Sequence, residues 1–261
     1  MPDAGRWRPG NLRAVRRRLD VELVRRGLIA SRERAQTEIG AGRVLVSGAP
    51  AVKASRMVAA DEPVTLAPVP ARFVSRGGDK LDAALDAFGI VVTGLAALDV
   101  GASTGGFTDC LLQRGASNVT ALDVGHGQLD ARLRADPRVR VVERTNVRFV
   151  SAASLGGTFD VVVADLAFIS LRTVAGVLVS LTAAGGNLVL LVKPQFEVGR
   201  ADATRGRGVI RDPDLWGASL AGVREALETE GARVIAAMPS PLKGSSGNVE
   251  FLVHAAPVRG G

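Results

Sequence analysis

The chain has 261 residues, 47% of them apolar, enough for one large domain and one small one around real cores. Its net charge of +7 is unevenly placed: residues 1–75 hold 14 Lys/Arg against 7 Asp/Glu, and residues 76–261 hold 19 of each. A single cysteine, Cys110, excludes an intrachain disulfide and makes a reducing cytoplasm the expected setting, while eight Phe, two Trp and no Tyr argue against an aromatic platform for single strands.

The charge asymmetry points to a small basic module for a polyanion joined to a neutral domain; the plainer alternative is a basic tail with no partner. Residues 1–15 read as a flexible Arg-rich leader without the apolar stretch of a signal peptide, and Val15 or its neighbourhood is the expected functional start. Residues 19–28 (LDVELVRRGL) carry apolar side chains at helical spacing, with Arg25 and Arg26 on the outer face. Ser31 is an N-cap for a second helix, SRERAQTEI, which stops at Gly40 and Gly42. RVLVSGAPAVKAS then alternates apolar and polar residues around a glycine turn, as a hairpin does. Residues 61–70 hold Pro63, Pro68 and Pro70 and read as a semi-rigid linker.

This first module resembles the S-four family of RNA-binding domains. The resemblance rests on Leu19-Asp20, Leu23, Gly27-Leu28, Ser31-Arg32, Ala35, Ile39, Gly42, Val44, Val46, Gly48 and Lys53. It implies that Arg17, Arg18, Arg25, Arg26, Arg32 and Lys53 contact phosphates of folded RNA, contacts that position an enzyme without reading sequence. For any one of these arginines the alternative is an ordinary solvated helix face.

From Leu95 onward strands are expected at 96–100, 119–123, 139–143, 160–165, 187–193, 233–237 and 249–255, with helical stretches between most of them, including 212–230. That alternation predicts an α/β domain with a doubly wound, mostly parallel sheet, whose ligands lie at the carboxyl ends of strands where the strand order switches. Residues 174–192 approach membrane-spanning length, but Gly185-Gly186-Asn187 interrupts them. Helix, turn and buried strand are expected there, and no membrane association.

Residues 98–108 (LDVGASTGGFT) admit two readings. Gly101, Ser103 and Gly105 spell the G-x-S-x-G elbow of a serine hydrolase, while strand, glycines and helix suit a nucleotide-type cofactor. The elbow needs an Asp and then a His; His254 comes late enough, yet it lies inside the final strand, and Ser103 follows the first strand of its domain. A phosphate loop fails because no Lys follows Gly106, and the spacing G-x-x-x-G-G departs from the dinucleotide fingerprint. A cofactor with a ribose and a charged amino-acid tail but no phosphates remains, and S-adenosylmethionine fits. Asp123, 22 residues past Gly101, stands at a strand end where a ribose-binding acid belongs, and Asp99 is placed to meet the amino group. Each Asp could instead cap a helix. The expected cofactor set is Asp99, Gly101, Ser103, Thr104, Gly105, Gly106, Phe107 and Asp123, with His126 either beside the adenine or a spectator and Cys110 in the core.

Asp165 ends VVVAD and Lys193 ends NLVLLVK, so both emerge at the rim of that cofactor site. Unpaired buried charge is costly, so two strands ending in opposite charges point to a paired, functional constellation. Lys80 follows a tight turn at Arg76-Gly77-Gly78, and Glu250 sits in the last strand after SSGN.

Taken together the chain closely resembles the TlyA family of ribosomal RNA 2′-O-methyltransferases. The resemblance is carried by SRGGDKL (75–81), DVGASTGGFT (99–108), ADLAFISL (164–171), LVKPQFEVG (191–199) and SGNVEF (246–251), and it runs from about residue 16 to 255. It implies a Rossmann-like class I methyltransferase domain at 77–261, preceded by the RNA-binding domain at 16–70 and a short linker at 71–76, with Phe73 where relatives often carry Trp. It implies a catalytic tetrad of Lys80, Asp165, Lys193 and Glu250, S-adenosyl-L-methionine as cofactor and no metal. The implied substrate is a cytidine ribose of 16S and/or 23S RNA in 30S and/or 50S subunits, in the region contacted by capreomycin-type antibiotics. A monomer is expected. The Gly- and Arg-rich segment EVGRADATRGRGV is either a surface loop or a flap against the RNA. A 2′-hydroxyl is a weak nucleophile facing a strong electrophile, so in-line positioning dominates, and a lysine acting as base needs its pKa lowered by burial or a nearby cation. Whether Lys193 takes the proton or only orients the hydroxyl stays open at this stage. The haemolysin label attached to the family would need a membrane-active segment, which the sequence lacks. The rivals are a non-catalytic RNA-binding or ribosome-assembly factor and a methyltransferase of another RNA.

Overall fold

In a computed structural model, residues 15–68, 71–199 and 208–258 are described. The leader up to residue 14, residues 69–70 and the centre of the Gly- and Arg-rich segment (200–207) lie outside the described residues; the proline-rich segment read as a linker instead carries a strand at 64–66 that pairs within the first unit. The chain divides between Pro70 and Ala71 into two compact units.

In the first unit, β1 (Arg17–Arg18) leads into α1 (Leu19–Arg25) and α2 (Arg32–Gly40). β2 (Val44–Val46), β3 (Ala49–Pro50), β4 (Met57–Val58) and β5 (Val64–Leu66) complete it. β2 pairs antiparallel with both β3 and β5, and β1 pairs with β4. The Ser31 side chain accepts from the Arg34 amide, the expected N-cap. α1 stops at Arg25, short of Leu28, because the backbone turns left-handed at Gly27 (φ 69°). Leu19, Leu23, Ala35, Ile39, Val44 and Val58 close a core of their own. Fully burying one such leucine or valine is worth roughly 1.5–3 kcal/mol.

The second unit is a seven-stranded sheet sandwiched by helices. α3 (Arg76–Phe88) is followed by β6 (Ala96–Val100), α4 (Gly106–Gln113), β7 (Asn118–Leu122), α5 (Ala131–Ala135) and β8 (Val139–Val142). Then come α6 (Ala152–Leu155), β9 (Phe159–Ala164), α7 (Ala175–Leu181), β10 (Thr182–Val192) and α8 (Pro194–Glu197). α9 (Pro213–Thr229), β11 (Ala232–Pro239) and β12 (Phe251–Pro257) finish the chain. The strand order is β11-β12-β10-β9-β6-β7-β8, and only β12 runs against its neighbours. The central strands alternate apolar residues between two cores: Val161, Val163, Val189 and Leu191 face one side, and Val162, Leu188, Leu190 and Val192 the other.

Three differences from the sequence reading have local causes. Arg76-Gly77-Gly78 is the first turn of α3 and not a tight turn before it. Gly78 is there because Phe73 packs against it; an added Cβ would sit 2.2 Å from the Phe73 ring. Segment 71–76 is packed within the second unit rather than forming a free linker: Phe73 is buried, Arg72 pairs with Asp82, and the Val74 amide donates to Asp109 Oδ2 at 2.8 Å. β10 starts at Thr182, earlier than 187, with an irregular register between Thr182 and Asn187 that absorbs Gly185-Gly186. No described helix is long and apolar enough to cross a membrane.

Candidate active site

The chain runs from β6 outward to β7 and β8, then returns to place β9 on the other side of β6. The switch point therefore lies at the carboxyl end of β6, and the loop Gly101–Gly105 sits there. Gly101 (φ 86°) lies so near the Asp165 carbonyl that a Cβ would come within 2.5 Å of it. Gly106 lies equally close to Ser75, with a virtual Cβ 2.2 Å from its Oγ. Ser103 adopts φ 48°, uncommon for a residue with a side chain and typical of strained functional loops.

Ser103 is not a nucleophile. Its hydroxyl donates to Gln128 Oε1 at 3.2 Å, while His254 is engaged with Asn187 and stacked on Phe88. The serine–histidine pair of a hydrolase is absent from this arrangement.

The loop opens on two adjoining cavities. One, of about 510 Å³, is lined by Asp123, Val124, Asn146 and Leu166; the other, of about 480 Å³, by Ser103, Phe107, Lys80 and Lys193. Gly101, Ser103, Asp165 and Ala167 border both. Asp123 clamps the loop, accepting from the Ser103 amide and the Gly125 amide, each at 2.7 Å. Neither amide belongs to the first turn of a helix, so Asp123 braces the loop and caps no helix, and its carboxylate still faces the cavity. Asp99 is fully buried below. Its Oδ2 accepts from the Thr108 amide (2.9 Å) and hydroxyl (2.7 Å), but its Oδ1 has no partner. Burial pushes the Asp99 carboxyl up to about 7, and the nearby Asp165 and Asp123 charges push the same way. Thr104 lines the second cavity, whereas His126 is exposed beyond β7. Cys110 is buried in the core, its thiol pushed up to about 12, chiefly by desolvation.

The four charged residues converge at the same edge. Asp165 directly follows β9, and Lys193 directly follows β10. Because β12 is antiparallel, its start lies at the edge where the parallel strands end. Glu250 immediately precedes the register pair Val192–Phe251 and so comes up beside Lys193. α3 delivers Lys80 from above. Lys80 Nζ donates to Glu250 Oε2 at 2.5 Å, with both side chains almost wholly buried. Lys193 Nζ lies 2.6 Å from Asp165 Oδ1 in an ion pair whose angle falls outside hydrogen-bond geometry. Gly244 makes room: a Cβ there would lie 2.5 Å from Glu250 Oε1.

Comparison with known proteins agrees with this architecture. A family model described as FtsJ-like methyltransferase matches residues 73–256, and an S4-domain model matches residues 17–64. The 16S/23S rRNA (cytidine-2′-O)-methyltransferase TlyA of Mycobacterium tuberculosis is 49% identical over 241 residues, covering 92% of this chain and 90% of that protein. The chain belongs to the TlyA family of FtsJ-like methyltransferases. Hemolysin A of Brachyspira hyodysenteriae is 39% identical over 91% of this chain and 98% of its own length. A hemolysin-like structure from Streptococcus thermophilus superposes with a TM-score of 0.70 at 37% identity, over 94% of this chain and 90% of that one.

As a TlyA-family methyltransferase the protein takes S-adenosyl-L-methionine as its cofactor. The residues fit it. Asp99 Oδ1 is a buried acceptor lacking a donor, the glycines bring backbone where a Cβ would obstruct, and Asp123 borders the cavity at the end of β7. In the first unit the six basic candidates divide. Arg26 is a brace, donating to Glu22 and to the carbonyls of Glu62, Ala59 and Ala60, which corrects its placement on the outer face. Arg25 pairs with Glu22, and Arg18 and Arg32 pair with Asp20, leaving these three partly exposed. The side chains of Arg17 and Lys53 have no hydrogen-bond or ion-pair partner among the described residues. Sequence reasoning missed Asp20 and Glu22 as buried anchors; a helix that opens with two acidic residues on its apolar face was the available signal.

Proposed function

We propose that this protein transfers a methyl group from S-adenosylmethionine to the 2′-oxygen of a cytidine in ribosomal RNA, with its S4-type module docking the RNA. The observation that carries the reading is the pair of ion pairs, Lys80–Glu250 and Lys193–Asp165, gathered beside the cofactor loop. The cofactor, when bound, supplies a sulfonium-activated methyl group. Lys193 is the group placed to orient the 2′-hydroxyl and to receive its proton, because it borders the cavity while held at one side by Asp165. Lys80 and Glu250 hold the far wall and keep the cluster neutral. Arg17 and Lys53, with the exposed faces of Arg18, Arg25 and Arg32, meet phosphates. The 49% identity to an enzyme named for both 16S and 23S RNA supports ribosomal subunits as the substrate, in the region linked to capreomycin-type antibiotics in this family. We infer a cytoplasmic location from that substrate.

The test is incubation with radiolabelled S-adenosylmethionine and unmethylated 30S and 50S subunits, mapping label by nuclease digestion and mass spectrometry. Label on a cytidine 2′-oxygen supports the reading and tells which subunit is used; cofactor binding without label on either subunit would redirect it to another RNA. Lys193→Ala is expected to lower kcat by about 10³-fold or more while RNA affinity stays within about twofold. Wild-type turnover in that variant would remove Lys193 from the mechanism.

A further inference from the structure

A part-buried carboxylate next to the tetrad has no place in the chemistry so far. Glu197 ends α8, the one-turn helix whose N-cap is Lys193, so the two side chains stand one helical turn apart. Glu197 Oε2 accepts from the Ser170 hydroxyl at 2.5 Å, and Oε1 accepts from the Leu171 amide at 2.8 Å. Ser170 and Leu171 close the loop that opens at Asp165. The other end of that loop is fixed by the Asp165 amide donating to the Val100 carbonyl at 3.0 Å.

That loop is a shared wall. Leu166, Ala167, Phe168 and Ile169 border the cavity at Asp123, and Ala167 also borders the cavity at Lys80 and Lys193. Phe168 holds φ 64° with its side chain 92% exposed, a strained backbone that persists only when the surroundings over-determine it. Its ring meets Phe196 of α8 at 5.4 Å, so loop and helix touch at a second point beside the Glu197 bonds.

Charge at this position costs stability. Burial holds the Glu197 carboxyl above its usual range, and no ion pair among the described residues offsets it; the two hydrogen bonds and the field of Arg172 only reduce the shift.

We propose that Glu197 is a positioning residue for methyl transfer: its carboxylate clasps the loop after Asp165 to the helix after Lys193, holding both members of that ion pair and the shared wall at one spacing. This rests on the proposed reaction, since in-line transfer is what a slack wall would spoil.

The experiment compares wild type, Glu197→Ala, Glu197→Gln and Ser170→Ala in the full-length protein. It measures kcat and KM for subunit methylation, S-adenosylhomocysteine affinity by calorimetry, and Tm. Glu197→Ala is expected to lower kcat at least about 30-fold and to weaken S-adenosylhomocysteine about 3–10-fold, with KM for the ribosomal subunit within about threefold. Glu197→Gln keeps one acceptor for Leu171 and should lose about 3–10-fold in kcat, with Tm no lower than wild type. Ser170→Ala, which removes one bond only, should lose less than Glu197→Ala in the same direction. Activity falling in step with Tm across the series, or Glu197→Ala within twofold of wild-type kcat, overturns the proposal. If Glu197→Ala does not fold, the split between kcat and Tm in the other two variants decides it. A wild-type enzyme that labels no RNA refutes the proposed reaction instead.

Discussion

Glu22 in the first unit and Asp99 in the second are both buried carboxylates, and their environments send them in opposite directions. Glu22 receives the guanidinium groups of Arg25 (2.5 Å) and Arg26 (2.8 Å), which hold its carboxyl down at about 2 despite burial. Asp99 receives only the amide and hydroxyl of Thr108, and its carboxyl rises to about 7. Burial alone penalises charge; a cation within reach reverses the sign. One unit has therefore filled its buried acids with its own arginines. The other keeps an acid with one oxygen that accepts no hydrogen bond among the described residues, which suits the proposed placing of a cationic cofactor beside it.

The largest effect should come from breaking the unfilled side of that comparison. A cationic cofactor favours ionised Asp99, so its affinity is expected to rise by up to about tenfold per pH unit as pH approaches about 7, and then to level off. Asp99→Asn should flatten that dependence and bind at least about tenfold more weakly at pH 8. Stability should move the other way. A raised folded-state pKa means the folded protein holds this proton between pH about 4 and about 7 while the unfolded chain releases it. Asp99 therefore costs stability progressively across that window, on the order of 4 kcal/mol at most, and Asp99→Asn should raise Tm at pH 8 but not at pH 4. Calorimetric titrations and melting curves at pH 5 to 8 check both signs; parallel pH profiles for variant and wild type would remove Asp99 from the cofactor site.

The filled side should break as a structural element. Glu22→Gln is expected to destabilise the first unit by about 1–3 kcal/mol at pH 7, because it strips charge-assisted bonds from Arg25 and Arg26. The depressed pKa puts this stabilisation in full above pH about 4.5, with loss as pH falls through about 2. Hydrogen exchange of peptides from residues 19–46 in the full chain reports it; unchanged protection would mean the pairs are spectators.

The smallest effect separates presented cations from consumed ones. Lys53→Ala should weaken subunit binding modestly and lower the salt dependence by about one phosphate contact, with the fold intact. A salt slope equal to wild type would show that Lys53 touches no phosphate.

Much of the catalytic unit was legible in the sequence, because strand ends advertise themselves locally. Apolar runs closing on Asp165 and Lys193, and a strand entering glycines at 101–106, are short-range patterns, and the structure leaves those residues where the patterns put them. The basic candidates of the first unit were less legible: helical spacing places Arg25 and Arg26 alike, and only the packed neighbours make Arg26 a brace.

By itself the sequence determined the alternation of strands and helices, the glycine loop at the first strand end and the concentration of positive charge in the first 75 residues, all properties of neighbouring residues. Tertiary structure decided who pairs with whom. Lys80 and Glu250 meet across 170 positions because β12 runs antiparallel and returns its first residue to the carboxyl edge. Glu197 reaches Ser170 across 27 positions, and Asp99 is left with one oxygen that has no partner among the described residues. Partner and protonation depend on distance and dielectric in the packed state, which no local pattern encodes.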